Sequence, residues 1–147
     1  MTTFVGDQED FAKVLAELVE LDYDAVEAYD AAINRVKNEK YKVVFKEFRS
    51  DHAKHIGELN AILVNHGQKA VSGPSMVKQW ITKGRVVMAN MIGDENILKA
   101  MYENEKDTNA AYGKANDHKS KWVDAEEVVS KGLSDERKHK EWLEQQI

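Results

Sequence analysis

Along most of the chain, apolar residues recur three and four positions apart, the spacing of one buried helical face. Four such lines can be drawn. The first reads Phe11, Leu15, Leu18, Asp22, Ala25, Tyr29, Ala32, Val36, on a helix predicted from about Gln8, capped by Asp7, to about Lys37. The second reads Tyr41, Phe45, Phe48, His52, His55, Leu59, Ile62, on a helix from about Lys40 that stops at His66-Gly67. The third reads Leu98, Met101, Glu105, Thr108, Tyr112, Ala115, on a helix capped at Gly93-Asp94 and ending near Asp117. After a turn at Asn116–Lys121, the fourth reads Trp122, Ala125, Val129, Gly132, Glu136, His139, Leu143. Between the second and third helices lies a long connection. It holds Ser72-Gly73-Pro74 and an amphipathic segment with Met76, Val77, Trp80, Ile81, Val87, Met88 and Met91, expected to pack on the bundle or on a second subunit. The prediction is an all-α four-helix bundle with one long crossover between helices 2 and 3 that carries a short extra helix.

Composition agrees with this class. At 147 residues the chain has room for one domain that buries roughly 68–70% of its unfolded surface. One proline and 8 glycines are too few for a turn-rich β protein. No uninterrupted apolar run approaches the ~18 residues of a membrane span. The first ten residues, MTTFVGDQED, lack the basic and apolar blocks of a signal peptide, so a cytoplasmic protein away from membranes is expected. No cysteine is present, which removes disulfides, thiolate metal sites and cysteine nucleophiles together. A net charge of −5 without a basic block argues against nucleic acid as a partner.

Candidate chemistry enters where the four apolar lines are interrupted. Asp22, His52, His55, Glu105, Glu136 and His139 would all point inward at one level. A lone buried ionisable group costs several kcal/mol unless paired or bound to metal, so six together call for a partner. His52/His55 and Glu136/His139 are i, i+3 pairs, each able to present two ligands to a shared centre. Imidazole with carboxylate suits iron, manganese or zinc. One carboxylate from each of two helices, with Glu-x-x-His from the other two, is a recipe for a dimetal site in a bundle core. The chain also repeats itself. Asp22 and Tyr29 return 83 positions later as Glu105 and Tyr112, and SDHAKH at 50–55 returns 84 positions later as SDERKH at 134–139. The halves read as two copies of one helical hairpin, about 8–66 and 94–147, related by an approximate two-fold axis.

These features carry a family resemblance. SDERKHKEWL, Ser134–Leu143, is similar to the fourth-helix signature of the ferritin-like superfamily, which includes bacterioferritin and rubrerythrin. Asp51-His52-Ala53-Lys54-His55 resembles its second-helix signature with one change, and Tyr29, seven residues after Asp22, matches an aromatic of bacterioferritin-like sequences. The resemblance covers all four helices and the crossover. It implies one ferritin-like domain over 1–147, two iron ions (or manganese or zinc) on the six residues, and assembly as a homodimer or larger homo-oligomer. It further implies oxygen- or peroxide-linked redox chemistry such as ferroxidase-like oxidation of Fe(II). By the same resemblance, Asp51 and Asp135 each accept a hydrogen bond from the ligand histidine of the opposite motif. A rubrerythrin-type cysteine-bound iron is excluded within a chain that has no cysteine.

Two departures matter. His52 stands where the superfamily has a bridging glutamate, and Asp22 where it usually has a longer one. Three carboxylates then face the four charges of two divalent ions, so the centre needs an added anion or holds one metal well and the other poorly. Asp24, matched by Asp107, is the fallback for Asp22, while Glu20, Asp24 and Glu27 together read as a solvated face. Tyr29 and Tyr112 are expected one level from the centre with their hydroxyls satisfied. His66 and His118 fall at helix ends. Gly132, inside helix 4, signals a bend or a close approach. The alternative function is a stress-associated structural or interaction bundle, non-catalytic, with a structural zinc or an empty site.

Overall fold

The computed structural model describes residues 10–74 and 91–147. These form α1 (Phe11–Arg35), α2 (Glu39–Asn65), α3 (Asp94–Asn116), a 3-10 turn (Val123–Ala125) and α4 (Glu126–Gln146), with no strand among the described residues. The helix ends follow local chemistry. Asp7 and Gln8, the predicted cap and start of the first helix, lie outside the described residues. Asp10 caps the described α1, its carboxylate accepting from the Ala12 N–H at 2.9 Å. Asn38 caps α2 in the same way, and Gly67 closes it at φ 74°, with Gln68 N–H donating to the Leu63 carbonyl. At α3 the cap is Gly93, at φ 89°. Asp94 works elsewhere: its two carboxylate oxygens accept from Lys37 N–H at 2.8 Å and Asn38 N–H at 2.9 Å, holding the α1–α2 link.

Contacts at the two ends give the topology. At one end Phe11 packs on Trp122 and His118, and His66 stacks on Trp122 with ring centres 3.6 Å apart. At the other, the α1–α2 link meets Asp94, and Tyr41 packs edge-on against Trp142. So α1 runs antiparallel to α3, and α2 antiparallel to α4. Residues 66 and 93 lie at opposite ends, which makes their connection the single long crossover. The extra helix expected within it falls on 75–90, outside the described residues.

Every position on the four predicted lines is buried except Tyr41 and Trp122, which are half-buried. The core has two apolar blocks. One is built around Leu15, Leu18, Leu59, Leu63, Tyr112 and Val129, the other around Tyr29, Phe45, Phe48, Leu98, Met101 and Leu143. Burying each such side chain contributes about 1.5–3 kcal/mol. Between the blocks lies the polar level. Elsewhere on α1, the expected solvated face is not one: Asp24 is 1% exposed, and Glu20 and Glu27 are half-buried. Burial on α1 extends beyond the predicted line to Val14, Glu17, Leu21, Asp24 and Ala28, a wider arc than three-four spacing marks out.

Candidate metal centre

All six residues drawn inward from the sequence meet at this level. Asp22, His52, Glu105, Glu136 and His139 are at most 1% exposed, and His55 is 3% exposed. They form two overlapping groups, Asp22-His52-His55-Glu136 and His52-Glu105-Glu136-His139, in each of which one donor atom per residue lies within 4.8 Å of the others. His52 and Glu136 belong to both. Asp24, the fallback for Asp22, belongs to neither.

The histidines are aimed by their outer partners. His55 Nε2 lies 2.9 Å from Asp135 Oδ2, and His139 Nε2 lies 2.8 Å from Asp51 Oδ2. Each aspartate therefore holds the histidine of the opposite helix, as the resemblance implied, and turns its Nδ1 inward. There His55 Nδ1 faces Asp22 Oδ1 at 3.4 Å and Glu136 Oε1 at 3.3 Å. His139 Nδ1 faces Glu105 Oε2 at 2.7 Å. His52 is different: Nδ1 lies 2.7 Å from Asp22 Oδ1 and Nε2 3.2 Å from Glu105 Oε1, so both nitrogens point into the cluster.

Four buried atoms here lack a well-directed hydrogen bond: His55 Nδ1, His139 Nδ1, Glu105 Oε2 and Glu136 Oε1. All four are donors of the kind a transition metal takes, and all four face the centre of the cluster. The residues present therefore fit a metal ion.

Protons do part of the same work when no ion is bound. Burial disfavours a charged His52, but the Glu136 and Glu105 carboxylates outweigh it and raise its pKa to about 10. Burial is likewise overcome at His55, raised to about 11 by contact with Asp22 and Glu136. His139 is raised to about 12, chiefly by the Glu105 charge and the bond to Asp51. In return, despite burial, Glu105 is held well below its usual range by His52 and His139, and Asp22 is lowered by His52 and His55.

Residues 10–118 match the family model described as "Domain of unknown function (DUF2383)". The chain belongs to the DUF2383 family. The matched segment of this DUF2383 protein holds Asp22, His52, His55 and Glu105, while Glu136 and His139 lie beyond it on α4. No curated protein and no solved structure matches the chain.

Three further residues of this DUF2383 protein serve the centre. The Thr108 hydroxyl, with one proton to donate, lies between Glu105 Oε1 at 2.9 Å and Glu136 Oε2 at 3.0 Å, with the Glu105 carbonyl also at 3.0 Å. Its position on the third apolar line was visible, and its repeat counterpart, Ala25, has no hydroxyl. Asn109 donates to the backbone carbonyls of both Glu105 and Glu136 at 2.8 Å, a tie that no spacing signals. Tyr112 donates to Asp22 Oδ2 at 2.5 Å, and burial together with the charge of Asp22 lifts its pKa well above 10. The Tyr29 hydroxyl makes no well-directed hydrogen bond but lies close enough to Glu105 that burial and that carboxylate raise its pKa well above 10. Gly132 resolves to a close approach, since a Cβ there would run into the Tyr112 ring. Among the described residues, no helix is long and apolar enough to cross a membrane.

Proposed function

We propose that this DUF2383 protein is a ferritin-like metalloprotein that binds two divalent transition-metal ions between Asp22, His52, His55, Glu105, Glu136 and His139. Its native metal is iron, with manganese and zinc as competitors for the same donors. Iron held there supplies redox chemistry with oxygen or peroxide, and the activity proposed is ferroxidase-like oxidation of Fe(II). The observation that carries the reading is the convergence of three histidines and three carboxylates in a buried cluster, where each of two overlapping groups brings one donor atom per residue within 4.8 Å of the others.

The chain's own residues do the rest. Asp51 and Asp135 fix the ring orientation of His139 and His55, and the Thr108 hydroxyl lies between Glu105 and Glu136. Phe48 stacks on His139 with centroids 4.1 Å apart and closes that side to water. The mirrored pairs Asp51–His139 and Asp135–His55 also support one ferritin-like domain made of two hairpin repeats.

One observation favours a second reading. The surrounding carboxylates raise all three histidine pKa values, so Asp22, Glu105 and Glu136 have cationic partners in His52, His55 and His139 without any ion. A non-catalytic structural bundle, with zinc or with the ion-pair network alone, uses the same residues. Metal analysis of protein purified without added metal, followed by oxygen consumption on addition of Fe(II), separates the two. The proposal expects bound iron and oxygen uptake; zinc or no metal, with no uptake, supports the structural reading.

A further inference from the structure

We propose that His52 bridges the two metal ions through its two ring nitrogens, as an imidazolate. This inference rests on the metal-centre reading above and adds to it the identity of the bridging ligand. The first observation is orientation. His52 Nδ1 lies 2.7 Å from Asp22 Oδ1 and 3.3 Å from Glu136 Oε1, in one donor group, while Nε2 lies 3.2 Å from Glu105 Oε1, in the other. The ring stands between Asp22, which belongs only to the first group, and Glu105, which belongs only to the second, with one nitrogen towards each.

The second observation is a contrast among the histidines. His55 and His139 each commit Nε2 to an aspartate outside the cluster, which fixes one tautomer and leaves one nitrogen to bind. Neither nitrogen of His52 has such an outer partner; the groups facing them, Asp22, Glu105 and Glu136, are themselves donors of the centre. The ring is fully buried.

The third is charge. Asp22, Glu105 and Glu136 supply three negative charges against the four positive charges of two divalent ions. An uncompensated charge in a water-free core is costly. An imidazolate supplies the fourth negative charge among the direct donors. On binding of the second ion a nitrogen–metal bond replaces the remaining ring N–H bond, and that proton leaves to solvent. No oxidation state changes.

The test uses the full chain, stripped of metal and titrated with Co(II), whose paramagnetism shifts protons on bound rings far outside the ordinary proton spectrum. Bridging predicts two equivalents bound and two strongly shifted signals that vanish in D2O, the Nε2–H protons of His55 and His139. A third such signal, from a ring N–H kept by His52, overturns the proposal, as does binding of a single equivalent. No cobalt bound at all overturns the metal-centre reading itself. In His52→Gln, checked for helicity, bridging predicts at least a tenfold loss of affinity for the second equivalent with the first retained. Two equivalents bound as in the parent would overturn it.

Discussion

Gly132→Ala puts one methyl group where the Tyr112 ring already lies. The added Cβ overlaps Tyr112 Cε1, with Cδ1 at 3.0 Å and Cζ at 3.3 Å. Helix propensity favours alanine over glycine by about 1 kcal/mol, so the change would stabilise an open helical site. Here two stronger effects oppose it. Overpacking in a filled core costs about 1–3 kcal/mol. A displaced ring also gives up its hydrogen bond to the buried Asp22 carboxylate, a charge-assisted bond that contributes about 1.5–3 kcal/mol. The expected net loss is about 2–4 kcal/mol, or roughly 5–15 °C in Tm for a chain of this size. Gly57→Ala is the matched control, because a Cβ there meets nothing within 4 Å, and it should stabilise by up to about 1 kcal/mol. Chemical denaturation in chelator measures both. Adding Tyr112→Phe keeps the ring and removes the hydroxyl, so the difference between the two backgrounds isolates the Asp22 bond. If Gly132→Ala is as stabilising as Gly57→Ala, the ring does not occupy that space and Tyr112 is not what positions Asp22.

Three other outcomes are expected. Asp51→Asn and Asp135→Asn should each weaken Zn(II) or Co(II) binding about 10–100-fold, by releasing His139 and His55 respectively; unchanged titrations would show that the aspartates do not orient ligands. Thr108→Val, which removes the one hydroxyl proton within reach of Glu105 Oε1 and Glu136 Oε2, should cost about 1–3 kcal/mol in metal-free protein by denaturation, and a neutral result would contradict that role. The metal-free bundle should lose stability as pH rises. His52, His55 and His139 have folded pKa values of about 10, 11 and 12, so the stabilisation from their protonated forms is complete below the unfolded value of about 6.5 and is lost as pH climbs through the folded ones. Melting in chelator should therefore fall between pH 7 and 10. The protection given by Zn(II) should grow over the same range, because protons compete with metal for the ring nitrogens. A metal-free Tm that rises with pH would refute the charged-histidine core.

The bundle was legible because its apolar lines are nearly unbroken, and an unbroken line at three-four spacing leaves a helix one face to bury. For the same reason Asp22, His52, His55, Glu105, Glu136 and His139 stand out in the sequence: each interrupts a line at the level of the others. Spacing places a residue on a face but does not set its side-chain torsions. It could not reveal that His55 and His139 turn one nitrogen outward while His52 turns both inward. Nor could it pair Gly132 with Tyr112, since that fit joins two helices through shape and not through periodicity. Asp10 caps the described α1, and spacing alone does not single it out because several polar residues near a helix start can serve. Asp24 was misplaced because α1 buries a wider arc than one line describes.

The central claim is that two metal ions sit among these six side chains. A crystal structure of protein purified without added metal, with anomalous data collected on both sides of the iron and zinc edges, tests it most directly. The expected result is two anomalous peaks at the iron edge, one within each donor group, with His52 and Glu136 touching both. A cluster with no peak, its histidines still paired to the carboxylates as in the metal-free arrangement, would contradict it.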